Sequence, residues 1–446
     1  VSALNTNTIG IYGHGGDHLP LDNAEPRPLD LAPIPVAFVG GEDGNLTGSD
    51  HILLYGDGPE SWAWEAVESR WAHALNPWSD SAHYFVRIDD PSPARIGSLP
   101  FLADDPDTTS SATEFFVFHE VEQNTLIRSG RQLYGEHLST NPSVSFPFVV
   151  RDILPEEGWL QARVMGRSVL LSSPLTIQVE DSSMVLEPNS VGTSSSSPYA
   201  QPRSGAIRWT PSGAETITVS VTLDPQVSEA EAWVDWVRLQ GRRSATMGGQ
   251  AQVLLTDRDA CAHGGWIQHR IEDAAALYDV WDITDEISPV RVPFIVDGGV
   301  ATFMVDYGAP GSTGGDSGER PRTFLAFSDY NQLTPTPGGS VVNADLHGMP
   351  QVDMVMVIAP QFWEQAEELA NIHANEGLSI AMVTPRQVYN AFSSGRPDPT
   401  AIRSFMKMFY DRAMLEDSAS APKYLQLMGD GTFANRNLDP DGPLII

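Results

Sequence analysis

The sequence of 446 residues has few lysines, a single cysteine and no long hydrophobic run. Lys407 and Lys423 are its only lysines, so arginine supplies nearly all of the 26 basic residues, which stand against 58 acidic ones. The net charge of −32 excludes non-specific binding to nucleic acid or to an anionic membrane surface, because both require positive charge. The lone Cys261 excludes an intramolecular disulfide framework and a cysteine-based zinc site. No segment reaches the roughly 18–20 apolar residues that cross a bilayer, so we expect no direct membrane span.

The composition is typical of a folded multidomain protein. Hydrophobic residues make up 41% of the chain and aromatic residues 9%, which is ample material for packed cores. At roughly 100–200 residues per domain, the length predicts two to four domains. The sequence begins at Val1 without the basic and apolar segments of a secretory leader. We therefore expect either that a signal peptide has been removed or that the sequence starts inside a longer reading frame.

The first three quarters of the chain have the pattern of β structure. Short β-branched and aromatic runs recur about every ten residues between clusters of Gly, Pro, Asn and Asp, as in sandwiches and barrels. We predict an N-terminal β domain over residues 1–140 and a jelly-roll-like β-sandwich over residues 141–242. Further strands over residues 243–345 are candidates to complete the first β domain.

Residues 346–446 have a different pattern, which predicts the start of a doubly wound α/β domain. The continuous apolar run Asp353–Ala359 is typical of a strand covered on both faces in a parallel sheet. A helix is predicted from Pro360 until Gly377, and a second strand follows before a capping box that begins at Thr384. The alternation of strands and helices favours parallel pairing.

A third predicted strand ends in Gly429, Asp430 and Gly431. Ligand sites of doubly wound sheets lie beyond the carboxyl ends of the strands, so these three residues are the candidates to line an active-site cleft. Asp430 would line the cleft or hold a neighbouring loop, and a turn-capping role is the alternative. Such sheets usually have about five or six strands. We therefore expect residues 346–446 to be the first half of a domain that is truncated at Ile446.

Several phrases of the sequence are specific to one family. They are IYGHGGDHLP and AEAWVDWVRLQGRR in the β half, and VYNAFSSG, DPTAIRSFMK and PKYLQLMGDGTFANRN in the α/β half. Together they resemble the gingipain-like cysteine peptidases and, more narrowly, the PorU-type signal peptidases and sortases of the type IX secretion system. The resemblance covers nearly the whole chain, with the peptidase domain only begun.

The resemblance implies a fold and an activity. Members have β-rich modules before a caspase-like α/β peptidase domain, work at the cell surface and associate with an outer-membrane β-barrel shuttle protein, PorV. They remove the C-terminal signal domain of secreted cargo and pass the new carboxyl end, through a thioester, to a lipopolysaccharide acceptor. The chemistry uses a Cys nucleophile activated by a His. Both residues follow later strands in the family, so the resemblance implies that they lie after Ile446 and that this fragment alone is inactive.

Three other groups of residues invite a functional interpretation. Cys261 and His263 lie too close together in a β-rich region for a catalytic pair, which needs convergence from separate elements, so we expect a structural cysteine. His14 lies in a glycine-rich segment that predicts a turn. Asp43, Asn45 and Asp50 place oxygen ligands in a short loop, which predicts either a calcium site or, more simply, a hairpin turn. No other cofactor is indicated.

Four tryptophans lie close together in the sequence of the first β segment: Trp62, Trp64, Trp71 and Trp78. Flat rings of this kind either stack on sugars or pack in a core, and core packing is favoured. The competing functional hypothesis is a non-enzymatic β-sandwich that serves as a surface binding or scaffold protein with a degenerate α/β tail. Glycan binding by the module over Phe146–Leu239 would favour it.

Overall fold

The computed structural model describes residues 4–102, 105–127, 132–308, 321–328 and 333–431. The strands of the first segment are β1 Leu4–Asn5, β2 Gly10–Gly13, β3 Ala32–Ile34, β4 Val36–Val39, β5 Asn45–Leu46, β6 His51–Leu54, β7 Glu60–Glu65, β8 Arg70–Leu75, β9 Phe85–Arg87, β10 Gly97–Ser98 and β11 Thr108–Ser110. The first module arranges them in small sheets, with β1 pairing β5, β4 pairing β6, β7 pairing β8, and a three-stranded sheet in the order β3-β2-β9. Short 3-10 turns occupy Thr6–Thr8 and Gly41–Asp43.

The second module is a β-sandwich of two antiparallel sheets. Its strands are β12 Ala112–Glu120, β13 His137–Leu138, β14 Ser143–Val149, β15 Gly158–Arg167, β16 Leu175–Val179, β17 Ser182–Leu186, β18 Gln201–Trp209, β19 Thr216–Leu223 and β20 Glu231–Ser244. One sheet has the order β12-β20-β15-β18, with β13 also on β20, and the other has the order β14-β19-β16-β17. Alternate residues of β19, from Ile217 to Leu223, are buried in the core between the sheets, as a period of two requires.

The sandwich begins earlier than the predicted boundary at residue 141. Strand β12 pairs with β20 from Ala112 to Glu120, over its whole length, and therefore belongs to the sandwich. The two paired strands are far apart in the sequence, and local sequence patterns do not predict which distant strands pair.

The third module contains two more sheets, which take in strands from the first segment. Its elements are β21 Gln252–Thr256, α1 Arg258–His263, β22 Trp266–Ile271, β23 Asp279–Asp282, β24 Val290–Arg291, β25 Phe294–Asp297, β26 Val300–Asp306 and β27 Thr323–Phe327. The sheets have the orders β10-β24-β23-β27-β21 and β11-β22-β26-β25. Strands β10 and β11 join at their edges in parallel. The segments on either side of the sandwich are thus hydrogen-bonded to each other.

The last described module is a parallel α/β unit. Its elements are β28 Met354–Ile358, α2 Trp363–Asn375, β29 Ile380–Val383, α3 Pro385–Phe392, α4 Thr400–Leu415 and β30 Tyr424–Met428, with 3-10 turns at Pro360–Phe362 and Ser418–Ser420. The sheet has the strand order β29-β28-β30. Every residue of β28 is buried. Helix α3 begins with the predicted capping box, in which Thr384 and Gln387 exchange hydrogen bonds.

Helices cover both faces of this sheet. Met354, Met356 and Ile358 pack in one apolar cluster with α2, whereas Val355 and Val357 pack in a second cluster with α3 and α4. The predicted fold class, all-β modules followed by the first half of a doubly wound α/β domain, is confirmed. Among the residues that the structure describes, no helix has the length and apolarity needed to cross a membrane.

Candidate functional site

The predicted active-site edge lies where the three parallel strands end. Ile358 is in register with Met428, and the Ala359 N–H donates to the Met428 carbonyl at 2.9 Å, so β28 and β30 end side by side. Gly429, Asp430 and Gly431 follow β30 directly and are exposed. The Asp430 Oδ1 atom accepts a hydrogen bond of 3.0 Å from the Gly431 N–H. The position at the carboxyl edge agrees with the prediction, and the role of Asp430 in a cleft stays a prediction.

The only cysteine of the chain lies away from this edge. Cys261 is on the short helix α1 and is 7% exposed, within the apolar core of the third module. Burial raises the pKa of its thiol to about 11. Nδ1 of His263 contacts the Gly264 carbonyl at 2.7 Å. A protonated, buried thiol is a poor nucleophile, so this cysteine has the properties of a structural residue.

The calcium candidate has the geometry of a turn. The Asp43 Oδ1 atom accepts from the Asn45 N–H at 2.8 Å, which is the local pattern of an Asx turn. The Asp50 Oδ2 atom accepts from the Thr47 N–H at 2.7 Å and from the Thr47 hydroxyl at 2.8 Å. These hydrogen bonds explain the acidic residues without a cation, and calcium binding here stays a prediction.

Three of the four predicted tryptophans, Trp62, Trp64 and Trp71, pack against one another or against Phe116. Trp71 is 2% exposed and lies 5.0 Å from Phe116, ring centroid to ring centroid. Trp62 lies 4.6 Å from the same ring, and Trp64 packs edge-on against Trp71 at 5.3 Å. The β7–β8 hairpin therefore uses these rings to pack on strand β12 of the sandwich, which favours packing over a sugar platform.

A cavity of about 90 Å³ lies among the modules, and the sequence analysis did not predict it. Its lining includes His14, Asp17, Asp57, Tyr84 and Glu286, which come from the first and third modules. Oxygen atoms of the three carboxylates lie within 4.8 Å of one another, close enough for one cation to contact all of them. The three carboxylates are distant from one another in the sequence, so no spacing motif predicts the cluster.

Burial dominates the electrostatics of this cavity. It raises the pKa of Asp57 to about 7, and the neighbouring charges of Glu286 and Asp17 add to the rise. Two backbone N–H groups, of Gly16 and Gly58, oppose it. Burial lowers the pKa of His14 to about 4, so its imidazole is neutral at physiological pH. Asp57 therefore titrates closer to neutral pH than an exposed aspartate does.

The sequence and the fold can be compared with known proteins. Residues 347–446 match peptidase family C25. No protein with a curated description matches the sequence. Among solved structures, dimeric latent PorU from Porphyromonas gingivalis is similar over 97% of this chain, with a TM-score of 0.79 and 21% sequence identity. This chain spans 40% of the PorU chain.

Two other solved structures are much less similar. The Cry4Aa toxin from Bacillus thuringiensis gives a TM-score of 0.20 at 8% identity, over 54% of this chain and 43% of the toxin. Infectious bursal disease virus, Gt strain, gives 0.17 at 12% identity, over 73% of this chain and 59% of the viral chain. Scores this low carry no argument about fold. The similarity to PorU, in contrast, shows that this chain has the PorU fold over nearly its whole length. The match of residues 347–446 to peptidase family C25 agrees with the resemblance seen in the sequence.

Proposed function

We propose that this chain is the N-terminal portion of a PorU-like cysteine peptidase and sortase of the type IX secretion system. The observation that carries the proposal is the match of residues 347–446 to peptidase family C25, on a segment that folds as a parallel α/β unit with an exposed carboxyl edge. The whole protein would remove the C-terminal signal of secreted cargo. It would then transfer the new carboxyl end of the cargo to a surface lipopolysaccharide.

The proposed chemistry proceeds through a thioester. A cysteine thiolate attacks the scissile carbonyl, a histidine passes the thiol proton to the leaving amine, and backbone N–H groups hold the oxyanion. A nucleophilic group of the acceptor then displaces the thiolate. Cys261 is unsuited to this role, because its thiol is buried and its pKa is about 11. We place the catalytic Cys and His outside this sequence and propose that the fragment alone is inactive.

The β modules have a different proposed role. They would position the cargo and bind an outer-membrane β-barrel shuttle protein of the PorV type, which would hold the enzyme at the cell surface. Their acidic character gives a long-range field that selects basic over acidic surfaces on a partner. Mutating rim charges of the complex would therefore change the association rate and its salt dependence more than the dissociation rate.

The test uses the full-length protein that contains this chain and a cargo that carries its C-terminal signal domain. We expect mass spectrometry to show loss of the signal, and, with an added amine, a product with the amine joined to the new carboxyl end. Cys261→Ser in the full-length protein is the matched control, which should cleave as the parent does.

Three outcomes contradict the proposal. They are absence of cleavage by the folded full-length protein, loss of cleavage in Cys261→Ser with the fold intact, and cleavage by this fragment alone. If the full-length protein does not cleave and the sandwich module binds glycans, the non-enzymatic binding or scaffold hypothesis is the better account.

A further inference from the structure

Two sequence motifs that are far apart in the chain meet in the structure. One is Gly13–Pro20 (GHGGDHLP), which starts at the last residue of strand β2 in the first module. The other is Ser393–Thr400 (SSGRPDPT), which leads from the end of helix α3 to the first residue of α4 in the α/β domain. We call this pair of segments the clasp. It joins the first module to the crossover that leads from β29 to β30.

Arg396 is at the centre of the clasp. Its side chain is 1% exposed, and its two terminal nitrogens donate hydrogen bonds to the backbone carbonyls of Gly15 and, at 2.6 Å, of Asp17. A guanidinium presents its donors in a fixed planar fork, so it determines the relative position of two acceptors better than an ammonium would. The left-handed conformation of Gly15, with a φ of +74°, is one that a glycine adopts without strain.

Further contacts extend the clasp along both segments. One carboxylate oxygen of Asp398 accepts from the Leu19 N–H at 3.3 Å, and the other accepts from the Thr400 N–H at 2.7 Å at the start of α4. Arg403 donates to the Pro20 carbonyl at 2.7 Å. On the other side of Arg396, the Ser394 hydroxyl donates to the His83 carbonyl at 2.9 Å.

The clasp also has an apolar component. The Leu19 side chain is 4% exposed and belongs to the apolar cluster that contains Val355 and Phe405 of the α/β domain. A residue of the first module thus completes the core of the last one. Burial of a leucine outside its own module removes apolar surface from water only while the two modules are docked.

The covalent connection between the β modules and the α/β domain is of a different kind. Residues 333–345 contain no helix or strand, and nearly all of them are exposed. A segment with few buried contacts and exposed backbone opens at low free-energy cost. The orientation of the α/β domain is therefore better determined by the clasp than by this connection.

We propose that the clasp is a releasable latch, which holds the α/β domain against the first module, and that its opening lets the α/β domain move as a unit on the connection over residues 333–345. The contacts favour this proposal over a purely local role for Arg396, because its side chain donates to two carbonyl groups of the other module. In the proposed open state, Leu19 leaves the core cluster, and the carboxyl edge of the sheet changes its orientation relative to the β modules.

Hydrogen exchange and limited proteolysis of the whole chain test the latch. In the Arg396→Gln, Arg403→Gln double variant, we expect amide exchange in both segments of the clasp to rise about tenfold or more. Proteolytic cleavage within residues 333–345 should rise as well, and exchange in strand β28, Met354–Ile358, should stay as in the parent. Arg412→Gln is the matched control, because Arg412 donates to the carbonyls of His347 and Met349, which lie in the same C-terminal part of the chain as Arg412 itself. This control should leave exchange in Gly13–Pro20 unchanged.

Two results would overturn the latch. If exchange in β28 rises as much as in the clasp, Arg396 stabilises the α/β domain itself. If exchange in Gly13–Pro20 does not change, the two segments are not coupled. If the double variant does not fold, the single variant Arg403→Gln tests the latch instead. It removes one hydrogen bond at the end of the clasp, so amide exchange in both segments should rise by a smaller factor.

Discussion

Replacing Asp57 with asparagine is expected to stabilise the protein at pH 8 and to have little effect near pH 4. The pKa of Asp57 is raised from 3.8 to about 7, so the folded state binds the proton more tightly than the unfolded state does. Folding is therefore favoured by protonation, and that stability is lost as the pH rises from about 4 to about 7. Asparagine is neutral at every pH and avoids this loss. Its side-chain oxygen can still accept from the Gly16 N–H, which donates to the Asp57 carboxylate at 3.4 Å.

The magnitude follows from the same shift. A rise of about three pKa units corresponds to about 4 kcal/mol, and solvent screening at a half-buried side chain reduces this to ~2 kcal/mol. The assay is urea unfolding at pH 4, 6 and 8 in buffer with a chelator. The gain in the free energy of unfolding of Asp57→Asn over the parent should grow from pH 4 to pH 8. Asp89→Asn is a matched control, because its side chain is 84% exposed and it should stay within about 0.5 kcal/mol of the parent. A gain that is independent of pH, or a loss at pH 8, would refute the reasoning.

Other predictions concern the candidate sites. Asp430→Ala should change the free energy of unfolding by less than about 0.5 kcal/mol, because the side chain is exposed and accepts from the adjacent Gly431 N–H. A loss of several times that amount in urea unfolding would assign Asp430 a structural role. The Cys261 thiol should react with a thiol reagent only as the protein unfolds, and rapid labelling of the native chain would contradict its burial. Asp50→Ala should cost about 1 kcal/mol through its lost bonds to Thr47, equally with and without calcium if the loop is only a turn; a loss seen only with calcium present would indicate an ion site.

The sequence predicted best those features that depend on neighbours along the chain. The apolar run that became β28 and the capping box at Thr384 are local patterns, and both are present at the predicted residues. The position of Asp430 at a strand end followed from the same local alternation.

Features that depend on contacts between residues far apart in the chain could not be predicted from the sequence. The boundary at residue 141 was misplaced because β12 finds its partner, β20, across most of the sandwich. The carboxylates of Asp17, Asp57 and Glu286 come together only in the folded chain, and none of them has a neighbour in sequence that signals the others. Leu19 has the pattern of a loop residue, although it is buried in the core of another module.

The clasp has a consequence for how the protein can vary in evolution. Arg396 and Arg403 bind carbonyl groups of the main chain, and every residue type has such a group. Substitutions in the held segment Gly13–Pro20 are tolerated outside its glycines and the buried Leu19, as long as the path of the backbone is kept. Arg396 does not have this freedom, because lysine lacks the planar fork that reaches two carbonyl groups at once. Correlated substitution between the two segments should therefore be weak although they touch, and contact prediction from covariation would overlook this junction.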